Sequence, residues 1–186
     1  MAHLIAAALG AFFWTVMEYV LHRWAGHEAR GKIDFSREHL AHHRDNTYFA
    51  ANSKKALSTA VFVLPIGALS VWLTGLVGVT FTVAFTLTYV AYEWLHRSIH
   101  VRAPRTFYGR WACRHHLFHH HKSPWKNHGV TVPIWDWVFR TYVPVEHIKV
   151  PSKNVMPWLI DEAGEVLDAY RETYSVGRRK VAPGAA

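Results

Sequence analysis

Ten histidines in four groups define the chemistry open to this chain. HRWAGH carries His22 and His27, HLAHH carries His39, His42 and His43, HRSIH carries His96 and His100, and HLFHH carries His116, His119 and His120. Each residue of an α-helix advances about 100°, so positions three and four apart share a face. Each HxxHH triplet therefore presents three imidazoles on one side, and HRSIH presents two. The five-residue spacing of HRWAGH turns its second ring about 140° away, which predicts that the helix ends near Gly26 and that His27 reaches the others from a loop. Imidazole suits iron, zinc and copper, whereas crowded imidazoles without a metal must avoid protonating beside one another. One ion takes roughly four to six donors, so ten histidines predict two ions with positions left open for oxygen or water. The single cysteine, Cys113, excludes an intramolecular disulfide and a thiolate-rich metal site.

Two glutamates sharpen this picture. Glu18 stands four residues before His22 and Glu93 three before His96, so each shares a helical face with a candidate ligand. An acid within an apolar span usually has a specific partner, and each glutamate is expected to accept the second ring N–H of its histidine; an interfacial acid reaching for water is the alternative. Asp136 is a third candidate to support the ligands from behind. His115, His121 and His128 lie near the last group, although neither triplet requires them. His3 and His147 read as ordinary surface or interfacial residues.

These groups need elements to position them, and three apolar runs supply them: Ala2 to Leu21, Leu57 to Leu76 and Val79 to Leu95. Each approaches the ~20 residues that cross a hydrocarbon core. The first lacks a basic n-region and a small-residue cleavage site, which predicts a retained membrane helix rather than a signal peptide. Gly75 and Gly78 are expected to bracket a short turn between the second and third. The third is rich in Thr and Val, yet a lone strand cannot satisfy its backbone in lipid, so a helix is predicted. Pro65 is expected to kink the second span without ending it; the weakest span could instead be buried or re-entrant.

The formal charge is +8, and residues 1–21 and 56–95 contain no Lys or Arg. Basic residues that flank apolar spans fit a positive-inside membrane protein rather than a nucleic-acid binder, and they place all four histidine groups on the cytoplasmic side. Trp14, Trp24, Trp94, Trp111, Trp125, Trp135 and Trp137 suit an interfacial belt. Arg102, Arg105, Arg110, Lys122 and Lys126 would face the anionic leaflet, an acidic head group or an acidic electron donor. Beyond Tyr142, three prolines precede a polar, helix-like DEAGEVLDAYRETY, and VAPGAA closes the chain as a frayed tail. The expectation is an all-α membrane protein of about three transmembrane helices with a cytosolic histidine-rich helical cap. It would form a single domain over 1–186, with the boxes and signature segment within 17–142 and a C-terminal cytosolic extension over 143–186.

The order HX4H, HxxHH, HX3H, HxxHH, followed by NHGVTVPIWDWVFRTY from Asn127 to Tyr142, resembles the fatty acid hydroxylase and sterol desaturase superfamily from about Met17 to Tyr142. In pattern it is most similar to the fatty acid 2-hydroxylases. The resemblance implies that the ten boxed histidines hold two iron ions, with zinc possible in purified protein. It also implies dioxygen as co-substrate, a lipid or fatty acyl substrate, and hydroxylation of an unactivated C–H bond. Electrons would come from a separate ferredoxin, cytochrome b5-like protein or reductase, because no fused haem-binding domain is present. Fewer spans than the four typical of eukaryotic relatives leave an oligomer or a shallower substrate groove open. His121 and His128 stand where the family commonly has an aromatic residue, and Arg140 stands where a glycine is usual.

Three other readings remain on the residues. A carotenoid ring hydroxylase shares the HX4H and HxxHH boxes, but the third box and the GVT to WD segment argue against it. A lipid or sterol desaturase uses the same oxidant, and spacing does not separate the two outcomes. A membrane metal-binding or carrier protein without catalysis predicts ionisable groups at mid-membrane, where these spans are apolar.

Overall fold

The computed structural model describes residues 1–177. Helix α1 (Ala2–Val20) continues without interruption into a π-helical segment, Leu21–Glu28. It is followed by α2 (Asp34–Arg44), α3 (Asn52–Thr74), α4 (Leu76–Val101), α5 (Phe107–His121) and the short α6 (Ile134–Val138). Three helical stretches, Ala2–Glu28, Asn52–Thr74 and Leu76–Val101, are long and apolar enough to cross a membrane. The architecture is thus mostly helical, with three candidate membrane spans and a histidine-rich helical region.

Helix α4 lies between α1 and α3. Close approach to α1 depends on Gly10, where a Cβ would lie 2.3 Å from the carbonyl oxygen of Phe81. Small residues serve this purpose where helices pack in lipid. Gly78 does the same against α3, since a Cβ there would meet the Ser70 carbonyl oxygen at 2.2 Å. The turn between α3 and α4 is Gly75 alone, at φ 60°, so Gly78 works as a packing residue inside the span and not as the second bracket of a turn. Helix α4 accordingly starts before Val79 and runs on through both His96 and His100. Its threonines suit a helix because Thr82, Thr86 and Thr88 donate their hydroxyls to carbonyls four residues back. Pro65 is accommodated inside α3, which packs on α4 and buries none of its residues.

Behind α5, the chain after Tyr142 forms a packed layer. Strands β1 (Ile148–Pro151) and β2 (Tyr174–Gly177) pair in parallel, with Ile148 opposite Tyr174. Ile148, Met156, Leu159 and Tyr174 join Cys113 and Leu117 of α5 and Ile99 of α4 in one core. The stretch DEAGEVLDAYRETY is not the expected helix. Gly164, at φ 80°, turns the chain, Ile160 and Val166 form an antiparallel bridge, and only Asp168–Tyr170 makes a 3-10 turn. Its apolar residues serve the core at Val166 and the strand pair at Tyr174, with no helical period to hold them together. VAPGAA lies outside the described residues.

Candidate metal centre

The ten boxed histidines converge as two groups of five. His22, His27, His39, His43 and His119 form one; His42, His96, His100, His116 and His120 form the other. Within each group, one ring nitrogen per residue lies within 4.8 Å of all the rest. Every element that bears a box contributes, and α2 and α5 each feed both groups. The groups abut where His43 stacks on His120, with ring centroids 3.9 Å apart and planes 7° from parallel.

HRWAGH meets this arrangement by a route the 100° rule misses. The helix does not stop at Gly26. It widens into the π-helical segment, whose i→i+5 hydrogen bonds bring residues five apart over one another, and His22 and His27 therefore address the same partner. Their Nε2 atoms lie 2.8 and 2.9 Å from His119 Nε2. Gly26 leaves room for α2: a Cβ there would sit 2.9 Å from His39 Cδ2. Ser36 ties the two helices by donating to the Gly26 carbonyl at 2.7 Å.

Several observations test whether these residues fit metal ions. Neighbouring Nε2 atoms stand 2.8 to 3.2 Å apart in both groups. Two nitrogens bound about 2.1 Å from one ion at a right angle are separated by about 3 Å. Among the described residues, both ring nitrogens of His120 and Nε2 of His43 are buried without a hydrogen-bond partner. An orphaned buried polar group costs about 1–3 kcal/mol, which a shared ligand relieves. Burial, followed by the nearby imidazoles, pushes His39, His43, His116, His119 and His120 well below the usual histidine range. Burial brings His42 to about 4. At neutral pH these rings are uncharged and offer lone pairs, as metal binding requires.

The glutamates do not stand behind their neighbouring histidines. Glu18, buried at the end of α1, instead accepts from the backbone N–H groups of Val130 and Thr131, at 2.5 and 2.9 Å, and from the Thr131 hydroxyl at 2.5 Å. A buried carboxylate needs several donors at once, and this loop supplies them. Glu93 pairs with Lys55 of α3. Carbonyl oxygens take the role expected of the acids: His22, His42 and His119 direct Nδ1 at the carbonyls of His128, Tyr48 and Lys126, at 2.5, 2.8 and 2.7 Å. A carbonyl can only accept, so Nδ1 carries the proton and Nε2 is left free to face the group centre.

Asp136 acts at one remove. It accepts from the His128 and Gly129 N–H groups, both at 2.8 Å, and from the Thr141 hydroxyl at 2.7 Å, and it meets His115 Nε2 at 3.1 Å. It thereby fixes the loop whose carbonyl holds His22. His115 is consequently part of this support, and His121 is held by Asn46 at 3.3 Å. His128 lies against His119, with centroids 5.1 Å apart. His3 bonds Thr80 at the far end of α1, and His147 bonds Ser175. Asn46, Tyr48 and Thr131 give their support without any ligand-like spacing in the sequence to mark them.

A cavity of about 140 Å³ opens on the centre between α1, α2, α3 and α4. His22, His39, His42 and His96 line one end, with Phe62, Phe85 and Tyr89 further into the spans.

Comparison with known proteins agrees with this geometry. The fatty acid hydroxylase family model matches residues 7–141. Ceramide very long chain fatty acid hydroxylase scs7 of Schizosaccharomyces pombe is 28% identical over 155 residues, covering 78% of this chain and 45% of that protein. Dihydroceramide fatty acyl 2-hydroxylase FAH1 of Arabidopsis thaliana is 28% identical over 151 residues, covering 78% and 62%. Human fatty acid 2-hydroxylase is 25% identical over 153 residues, covering 76% and 40%. The chain thus spans roughly half the length of these relatives. The solved structure of full-length scs7p, in which only the hydroxylase domain is visible, superposes with a TM-score of 0.60 at 28% identity, covering 76% of this chain and 57% of that one. Both five-histidine groups fall inside the matched segment, and the chain belongs to the fatty acid hydroxylase family.

Proposed function

We propose that this chain is an integral membrane oxygenase that hydroxylates a C–H bond of a lipid, in particular of a fatty acyl chain. Two five-histidine groups in contact carry the reading. The ten boxed histidines would hold two iron ions, one for each group of five, and zinc would compete for the same nitrogens. Bound iron supplies dioxygen activation and the oxidising power needed for an unactivated C–H bond.

The rest falls to the chain itself. Carbonyl-held rings of His22, His42 and His119 keep their lone pairs aimed inwards. The cavity runs from Phe62, Phe85 and Tyr89 in the spans to four of the histidines, which supports an approach of an acyl chain to the centre from the membrane side, while Asp34, Glu38, Lys54 and Lys55 line it towards α2 and the start of α3. The reaction consumes electrons, and a separate donor protein is the source this reading carries. Basic residues around the spans support a cytoplasmic location for the centre by the positive-inside bias.

Lipid profiling of cells with and without the chain, combined with metal analysis of purified protein, tests this. New hydroxylated acyl chains and about two transition-metal ions per chain are expected. Unchanged acyl chains alongside altered carotenoids would overturn the substrate; less than one ion per chain in iron-replete, reducing preparation would overturn the paired centre.

A further inference from the structure

The segment that follows the last histidine box is placed lower than a cap loop needs to be. Val130 and Thr131 bond Glu18 of α1. Four residues on, the Trp135 indole donates to Thr15 at 3.0 Å and packs on Phe12, with centroids 5.5 Å apart. Phe139 then returns to stack on Tyr19 at 5.0 Å, and Thr141 bonds the Tyr19 hydroxyl at 2.8 Å. Thr15 precedes His22 by seven residues, so the contact lies about 10 Å down the membrane-spanning helix from the histidines. The chain descends beside α1 and comes back up.

Its composition agrees with that position. Between Lys126 and Arg140 the only residue with a full charge is Asp136, which is completely buried and saturated by donors from its own loop and α5. The outward side is apolar: Ile134, Trp137, Val138 and Phe139 are 41%, 57%, 59% and 41% exposed. The neck of the loop is closed, with Asn127 N–H donating to the Thr141 carbonyl and the Asn127 side chain exchanging two hydrogen bonds with Val143. A short helix, α6, flanked by irregular backbone of this kind is tolerated at membrane depth when its polar groups are met by protein.

We propose that residues 130–139 form a re-entrant wedge, immersed beside α1 in the leaflet next to the metal centre, with Ile134, Trp137 and Val138 against lipid acyl chains. The occupant of this apolar face is the bilayer itself, because the wedge adjoins the lipid-facing surface of a spanning helix. Through Asp136, which fixes the His128 carbonyl on His22, immersion of the wedge is tied to the support of one five-histidine group.

The test uses the full chain in phosphatidylcholine vesicles. Cys113 is buried and its thiol is pushed up to about 12 by burial, so Cys113→Ala gives a clean background. Single cysteines are placed by Val138→Cys, by Leu64→Cys on the lipid face of α3, and by Lys122→Cys at the end of α5, and each is labelled with bimane. Lipids carrying a nitroxide on the acyl chain should quench the Val138 label as strongly as the Leu64 label, and several-fold more than the Lys122 label. Val138→Cys should also resist a membrane-impermeant maleimide. Quenching at the Lys122 level with ready maleimide labelling would overturn the wedge. Protection from both reagents, with disulfide-linked dimers through the new cysteine, would show a protein contact instead and equally overturn it. Trp137→Cys repeats the measurement should Val138→Cys lose the parent's metal content.

Discussion

His22 Nδ1 lies 2.5 Å from the backbone carbonyl oxygen of His128, although 106 residues separate the two. The contact sets the tautomer of a candidate ligand and joins the first histidine box to the segment after the last. Asp136 in turn holds the N–H groups of His128 and Gly129. Asp136→Asn replaces one accepting oxygen with an NH2 group that opposes an N–H, and the loop must shift. Partners of this kind typically contribute 10–100-fold to metal affinity. The expected result is selective weakening of the group containing His22, with metal content falling from about two ions per chain towards about one while the protein stays in the membrane fraction. Full metal content and unchanged activity would show that the loop does not hold His22 in place.

The histidine triplets were legible because ligand spacing on a helix is local: His39, His42 and His43 share a face whatever surrounds them. His22 and His27 were legible as candidate ligands, but their route was not, because a π-helical segment leaves no mark in the apolar period and the α-helical angle points His27 away. Glu18 shows a different limit. Its helical neighbour His22 was the obvious partner from sequence, but its actual donors, Val130 and Thr131, arrive from more than a hundred residues later. The three spans followed from hydropathy, whereas the strand pairing of Ile148 with Tyr174 rests on tertiary burial that a polar stretch such as DEAGE does not announce.

Glu18 and Glu93 should respond differently to the same change. Glu18→Gln removes acceptor capacity from a fully buried site with three donors, which costs about 1–3 kcal/mol and lowers the thermal midpoint. Glu93→Gln breaks a half-buried pair with Lys55, worth about 1 kcal/mol or less, and leaves the metal content intact. Equal loss of metal from both variants would restore Glu93 as a support for His96.

Gly26 tests the close approach of α2 to the π-helical segment. Gly26→Ala places a methyl group 2.9 Å from the His39 ring, which must move away from its group. Reduced metal content and activity are expected with the fold retained, because the nearest obstacle is a side chain and not backbone. Gly10→Ala is the contrasting case: its Cβ meets the Phe81 carbonyl at 2.3 Å, and α1 and α4 must separate. It should lower the thermal midpoint before it changes metal stoichiometry, and the opposite order would contradict the assigned roles.

Arg140 occupies a left-handed backbone conformation at φ 58°, next to Thr141 at the neck of the loop. An L-residue there costs roughly 1–2 kcal/mol, while glycine adds about 0.5–1 kcal/mol of unfolded-state entropy. Arg140→Gly is therefore expected to stabilise the protein by about 0.5–1 kcal/mol, read as a higher thermal midpoint. This explains physically why glycine suits the position. A lower midpoint would mean that the arginine side chain contributes more than its backbone strain costs.

Acid should dismantle the centre in a defined window. Burial lowers His42 to about 4 from its ordinary 6.5, and the other buried boxed rings outside the spans shift the same way. Between these values the unfolded chain binds protons that the folded chain refuses, so folding stability rises with pH across the window and is lost as pH falls from about 6.5 towards 4. His42 alone accounts for roughly 3 kcal/mol at about 1.4 kcal/mol per unit. Metal competes with protons for the same nitrogens, so loaded protein should lose stability at lower pH than metal-free protein. Thermal midpoints of both forms, measured from pH 7.5 to 4.5, should fall with acid, with the metal-free form the lower of the two and the gap narrowing once protons displace the metal. A flat profile for the metal-free form would show that the imidazoles are hydrated and not packed as neutral groups.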